Sequence, residues 1–407
     1  MNKLSACNIL ILTNWSIDDP LIEAYVFPYV KIIKKHLKSG KKVSIYTLDN
    51  DGATNNEKTS LIKLAFRKIG VKCISAKYYK FGIFALIQGA INLIGLIYYC
   101  RANNIGVVHA WCTPAGVTGY LLSKLTGVNL IIDSYEPHAE AMVENGSWRF
   151  DGFKFKVLFF FEKLMSHRAI ALISLTQGMK EYAAIKYGLN SDKFYVKPAC
   201  VDFGLFALSK IKNRELMKQF NLLDKIVMLY VGKFGGIYLD KEVFDFANYA
   251  YTYFGESFRL LLVTPHKIEE INEFCNNAGI PTNIVVTKNV THQNIPIYMG
   301  MADFAITPVK SVPSKRYCSP LKDAEYWALG LPVVITQDIS DDSSIIERED
   351  IGAVLKTFDK KGYKIACQKI NNLLDSDREL LRIKIRHLAN KYRNFDVADK
   401  VYSQIYR

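Results

Sequence analysis

A chain of 407 residues, half of them hydrophobic, 13% aromatic and 23% charged, excludes a disordered, collagen-like or coiled-coil protein. It is too long for one ordinary core, so two domains are expected. The formal charge of +14 is uneven: residues 1–203 carry 25 basic and 15 acidic side chains, residues 204–407 carry 28 and 24, and a basic first half suits an anionic partner such as a membrane surface, a phosphorylated substrate or nucleic acid.

The first apolar run, Asn8–Thr13, ends in Asn14, Trp15, Asp18 and Asp19 with no small-residue cleavage site. It reads as a first strand and not as a signal peptide. Further strands are predicted at Val43–Leu48, Val71–Ser75, Gly106–Trp111, Asn129–Asp133, Ala169–Ser174 and Phe194–Lys197. Helical patterns separate them: Leu21–Lys38 before Gly40, Pro114–Leu125 before Gly127 and Thr176–Tyr187 before Gly188, with Gly as the C-terminal stop. Phe81–Cys100 is twenty residues without a charge, long enough to span a bilayer. Spanning would split one sheet across a membrane. Gln88, Asn92, Gly95 and Tyr99 also share one stripe, so the expectation is a buried or membrane-surface helix.

A linker is placed at Lys197–Gly204, followed by a polar, basic stretch to Arg214. The pattern then restarts, with strands predicted at Ile226–Val231, Phe258–Val263, Asn283–Thr287, Asp303–Thr307, Pro332–Thr336 and Ala353–Lys356, and a helical end at Asp375–Arg407. Strands alternating with helices imply parallel, doubly wound sheets, each with a binding edge at the carboxyl ends of its strands. The eight cysteines form no Cys-x-x-Cys pair and read as thiols of a reducing compartment, the cytoplasm.

Two stretches carry chemistry. In Tyr317–Thr336, Ser319 is a candidate N-cap and Pro320 suits the first helical position. The first-turn amides and Lys322 would form an anion site. Glu325, one turn after Leu321, could hold two vicinal hydroxyls of a ribose; the competing reading is an ordinary capped surface helix. In the second stretch, Ile226–Val231 runs into Gly232-Lys233-Phe234-Gly235-Gly236. Glycines there would let a diphosphate approach the backbone, with Lys233 offsetting its charge; the competing reading is a tight turn.

Together these residues resemble a retaining glycosyltransferase of the GT-B fold, in glycosyltransferase family 4. Val107-Val108-His109-Ala110, the Lys197-Pro198-Ala199-Cys200-Val201-Asp202 segment with Phe206, and Asn394-Phe395 through Tyr402 and Tyr406 follow the family's order. The resemblance implies two Rossmann-like domains facing a cleft: an acceptor-binding domain at 1–203 joined by a returning helix at 386–407, and a nucleotide-sugar domain at 204–385. It implies that Glu325 holds the donor ribose, that Lys233 and Lys322 contact the diphosphate, and that His138 in Asp133-Ser-Tyr-Glu-Pro-His lies by the transferred sugar. A loop histidine that caps a helix is the alternative for His138. Donor binding is thus assigned to Gly232, Lys233, Gly235, Gly236, Ser319, Lys322 and Glu325. The catalytic set is His138, Lys233 and Glu325.

The sequence departs from the family at Tyr317, where the first Glu of a Glu-x₇-Glu pair belongs, and at the missing Gly-Gly loop after the first strand. Asn14, Trp15 and Asp18 stand there instead and are assigned to the acceptor region. Lys241 is the candidate for the family's second basic residue. The implied reaction moves a sugar from a UDP- or GDP-sugar to a glycan or lipid-linked acceptor with retention, in bacterial surface polysaccharide assembly, with no resident cofactor and no metal. The seven histidines form no ligand cluster, and Asp375-Ser376-Asp377 reads as a turn and helix cap. A sugar-nucleotide epimerase and a non-catalytic subunit of the same fold are the alternatives. Lys31, Lys34, Lys35, Lys38, Lys41 and Lys42, and the basic and aromatic mix of Arg149–His167, suit an anionic membrane surface. A solvated face and core phenylalanines are the competing reading. No nucleic-acid-binding module is present.

Overall fold

The computed structural model describes residues 4–50, 57–80, 82–190 and 192–407; Phe81, the first residue of the uncharged run, lies outside them. The chain divides into two compact units. One is Met1–Pro198 with Asp396–Arg407, the other Ala199–Phe395.

The first unit runs β1 (Asn8–Leu12), α1 (Phe27–Lys35), β2 (Val43–Asp49), α2 (Glu57–Lys68), β3 (Val71–Lys77), α3 (Ile83–Ala102), β4 (Ile105–Trp111), α4 (Cys112–Thr126), β5 (Asn129–Tyr135), α5 (His138–Glu144), α6 (Phe153–Arg168), β6 (Ala171–Ser174), α7 (Met179–Tyr187) and β7 (Phe194–Val196). Its seven strands are parallel, in the order β3-β2-β1-β4-β5-β6-β7. The second unit runs α8 (Arg214–Gln219), β8 (Ile226–Val231), α9 (Lys241–Phe254), β9 (Phe258–Val263), α10 (Ile268–Ala278), β10 (Val285–Lys288), α11 (Ile295–Met299), β11 (Phe304–Thr307), α12 (Leu321–Ala328), β12 (Val333–Thr336), α13 (Asp342–Glu349), β13 (Gly352–Leu355), α14 (Lys360–Asp375) and α15 (Arg378–Arg393). Its six parallel strands are ordered β10-β9-β8-β11-β12-β13. The last helix, α16 (Phe395–Ile405), begins at the boundary and belongs almost wholly to the first unit.

Each sheet is covered by helices on both faces, so its central strands are continuous apolar runs and not alternating ones. Ile9–Leu12 and Val227–Tyr230 are almost completely buried. The helices stop where predicted at Gly127 and Gly188, both left-handed at φ 79° and 67°. Gly40 does not stop α1, which ends at Lys35 with His36 as C-cap. The predicted Leu21–Lys38 helix opens instead as a π-turn at Ile22–Val26, closed by Phe27 N–H donating to Ile22 O. Pro28 explains the wide turn: it has no N–H to give residue 24, and its ring crowds that carbonyl. The return to the first unit comes at 395/396 and not at 386, because α15 is one unbroken helix of the second unit. The other division falls at 198/199, five residues before the predicted 203/204. Asp377 caps α15, accepting from the Glu379 and Leu380 amides.

A buried polar cluster fixes α16 to the first unit. Asp133, at the end of β5, takes an ion pair from Lys197 at 3.2 Å, a hydrogen bond from Tyr402 at 2.6 Å and a contact from His109 at 3.2 Å. His109 Nδ1 meets the Tyr406 hydroxyl at 2.7 Å. The Lys197 ammonium also lies 3.7 Å from the Tyr29 ring centroid. Burial alone would raise the Asp133 carboxyl; Lys197, His109 and Tyr402 outweigh it and hold it at about 2. At the rim, Asp399 of α16 pairs with Lys35 and His36. Lys34 donates to the Ile69 and Gly70 carbonyls, so two of the predicted surface lysines are structural.

Candidate functional site

In the second unit the strand order reverses between β8 and β11, the position where open parallel sheets bind ligands. The loop after β8 carries Gly232, Lys233, Gly235 and Gly236; the segment after β11 leads through Pro308–Pro320 into α12. The two are stitched together: Leu239 N–H donates to Pro308 O at 2.7 Å and Lys310 N–H to Ile237 O at 3.0 Å. Tyr326 of α12 accepts from Val231 N–H at 3.1 Å, which pins the strand end to the helix.

That pinning brings Lys322 to the glycine loop. Gly232 has φ 127°, and a Cβ built there would sit 2.6 Å from Lys322 Nζ. Only glycine accommodates both that conformation and the ammonium. Lys322 Nζ lies 3.9 Å from the Tyr238 ring centroid and 5.4 Å from that of Tyr230, and Tyr230 donates to Lys233 O at 2.6 Å. Gly235 and Gly236 are also left-handed, at φ 80° and 65°. The Lys233 side chain is exposed. Lys241 starts α9 and pairs with Asp245 at 2.6 Å, so its charge is already engaged.

Glu325 lies deeper on α12, almost buried, with Oε1 3.3 Å from His292 Nε2. His292 is a partner that sequence reasoning missed, since it precedes Glu325 by 33 residues with no spacing signal. His266 was missed too. Its Nε2 accepts from Phe234 N–H at 3.0 Å, which puts the ring proton on Nδ1, 2.8 Å from Glu270. The imidazole thereby holds the glycine loop from below.

Ser319 is not the helix cap. Pro320 occupies the N-cap position with no side-chain cap hydrogen bond. The Ser319 hydroxyl instead accepts from Ala199 N–H at 3.0 Å and from the buried Arg393 guanidinium. Arg393 also binds Asp342, and Thr307 donates to Asp323. Burial and the neighbouring Asp342 carboxylate push the Asp323 carboxyl well above the usual range, while Asp342 and Asp323 hold Arg393 charged against its burial. The cluster anchors the base of α12, and Ser319 belongs to it.

The other predicted residues lie in the first unit. His138 is the first residue of α5, with Nδ1 3.7 Å from Glu136 Oε1 and its side chain partly exposed. Pro137 occupies the N-cap position, so His138 is not a capping loop residue. Its helix is held by Glu162, which accepts from Ala139 N–H and Tyr187 O–H, each at 2.9 Å. Burial raises the Glu162 carboxyl to about 8. The sheet order of this unit reverses between β1 and β4, and Asn14, Trp15 and Asp18 form the loop after β1. Asn14 is exposed. Trp15 N–H donates to Thr13 Oγ1 at 2.9 Å, and Asp18 accepts from Ser16 at 2.5 Å. The loop is therefore shaped by its own side chains. Cys112 and Ser134, just past β4 and near the end of β5, have φ 64° and 52°, left-handed values uncommon outside glycine. Among the described residues, no group of three or more His, Cys, Asp or Glu is placed to hold a metal.

No family model and no curated protein sequence matches the chain. Solved structures do. HepE from Anabaena, in complex with UDP, matches with TM-score 0.72 at 15% identity, over 98% of both chains. Sucrose-phosphate synthase from Thermosynechococcus elongatus matches with TM-score 0.70 at 16% identity, again over 98% of both. WaaG, a glycosyltransferase involved in lipopolysaccharide biosynthesis, matches with TM-score 0.69 at 14% identity, over 98% of this chain and 99% of its own. At such identities the likeness is one of fold: this chain has the GT-B architecture of two Rossmann-like domains.

Proposed function

We propose that the protein is a retaining glycosyltransferase of family 4 that takes a UDP- or GDP-sugar on its second unit and passes the sugar to a glycan or lipid-linked acceptor. The observation that carries this reading is the Lys322 ammonium seated against Gly232 at the β8/β11 switch point. A fixed cation beside glycine backbone and the first turn of α12 suits a diphosphate. Glu325, one turn further on, has a carboxylate for the ribose hydroxyls, and His292 orients it. Neighbours of the same fold include HepE with UDP-glucose bound.

In this mechanism Lys322, Lys233 and the helix amides stabilise the leaving diphosphate, and the acceptor hydroxyl attacks from the leaving-group face. His138, the first residue of α5 on the acceptor-binding unit, is assigned to the catalytic set in this reading. The nucleotide sugar is a co-substrate, and neither resident cofactor nor metal has a role. Bacterial surface polysaccharide assembly is the setting that suits such an acceptor.

The test is thermal unfolding against UDP, GDP, dTDP, ADP and CMP, since a ligand of the native state raises its stability. One nucleotide is expected to raise the melting temperature. Glu325→Ala should weaken that ligand by ~1–3 kcal/mol through lost charge-assisted hydrogen bonds. A well-folded protein that responds to none, or a Glu325→Ala chain of unchanged affinity, overturns the donor site.

A further inference from the structure

The uncharged run of the chain forms a helix turned inside out. Gln88, Asn92 and Tyr99 of α3 face inward with the buried Leu96 and Cys100; Gln88 bonds Asn92 at 2.9 Å and Tyr99 meets Ser44 at 2.8 Å. The opposite stripe, Phe84, Ile87, Ile91, Ile94 and Tyr98, is exposed, with Phe84 at 74% and Tyr98 at 75%. Only 11% of the apolar window Phe84–Ala102 is buried, so α3 is not the buried helix that its composition allowed. Nor does it cross a bilayer: β3 before it and β4 after it are parallel strands of one sheet, and α3 packs on α4 as their crossover.

A second group of apolar side chains is exposed beyond α4. α4 packs on α6, and α6 shows Phe153, Val157 and Phe160 outward, with Phe150 just before it. Every exposed charged side chain on these three helices is cationic: Arg101, Lys124, Lys154, Lys156, Lys163 and Arg168. Their one acidic residue, Glu162, is buried.

We propose that the α3–α4–α6 face docks in the plane of an anionic lipid bilayer, with the α3 stripe lying in the acyl boundary and the cations meeting the headgroups. An apolar stripe about 21 Å long from Phe84 to Tyr98, at 1.5 Å per residue, beside helices whose exposed charges are all cations is the pattern of an interfacial helix; Asp151, in the turn before α6, is paired with Arg149. A second copy of this chain would bring six cations against six, which disfavours self-association through this face. The inference does not rest on the transferase reading, because its readout needs no nucleotide.

The experiment is flotation of the full chain with phosphatidylcholine vesicles, with and without phosphatidylglycerol, across a salt series. Wild-type protein floats with the anionic vesicles at least ~10-fold better than with neutral ones, and salt narrows the difference. Ile87→Asn/Ile94→Asn loses flotation at every salt with its melting temperature kept, since both side chains are already in water. Lys154→Gln/Lys156→Gln lowers only the anionic preference. Should the isoleucine variant not fold, Phe84→Trp in the otherwise native chain gives a blue-shifted emission on adding anionic vesicles. Absence of flotation, flotation unchanged in the isoleucine variant, an unshifted Phe84→Trp emission, or a dimer that the isoleucine variant dissociates without any vesicle binding overturns the proposal.

Discussion

At the scale of single residues, Glu162 sets a pH dependence. It is neutral in both folded and unfolded chains below about 4.5, and its folded value is about 8. Between these values the unfolded chain ionises and the folded one resists, so stability present in mild acid is lost as pH rises toward about 8. The loss is expected to be on the order of a few kcal/mol. Glu162→Gln keeps an acceptor for the Ala139 amide and cannot ionise. Its urea midpoint should hold steady over the range in which the wild-type midpoint falls. A wild-type midpoint that rises with pH would contradict the assignment. Gly232 makes the other sharp residue-scale case. Gly232→Ala forces a strained φ and displaces Lys322 Nζ, so it and Lys322→Ala should lose similar nucleotide affinity, and their double variant should lose little more than either. Additive losses in titration calorimetry would mean that the two act apart.

At the scale of elements, the strands were legible because buried parallel strands are written as unbroken apolar runs between Gly stops and polar turns. All thirteen strands of the two sheets coincide with a predicted run, shifted by at most a few residues. What was not legible depends on partners distant in sequence. The Ser319 hydroxyl looks like an N-cap from its neighbours, yet Arg393, 74 residues on, claims it. The π-turn before α1 follows from Pro28 meeting a fixed exit from β1, and periodicity does not report it. His292 and His266 carry no motif; their meaning comes from the loop and carboxylate that the sheet brings to them. For α3 the polar stripe was visible, but which face the sheet would take was not, because composition does not fix the direction in which an amphipathic helix is laid down.

At the scale of the whole molecule, the cluster around Asp133 joins residues from five segments of the first unit. The Asp133 carboxyl is held at about 2, so its contribution is present above the ordinary value and is lost as pH falls through about 2. Tyr402→Phe removes a charge-assisted hydrogen bond and should cost ~1.5–3 kcal/mol, read as a lower melting temperature of the first unit. An unchanged melting temperature would mean that water replaces the hydroxyl.

Because residues 396–407 complete the first unit, its core is an assembly of segments separated by the whole of the second. During synthesis the first 198 residues emerge with Asp133 and Lys197 in place but without Tyr402 and Tyr406, and they must wait for roughly two hundred further residues. At ribosomal speeds that is on the order of ten seconds or more. The second unit, Ala199–Phe395, is continuous and can close first. Folding order is therefore expected to run against the direction of synthesis, with the domain made second closing before the one begun first is finished.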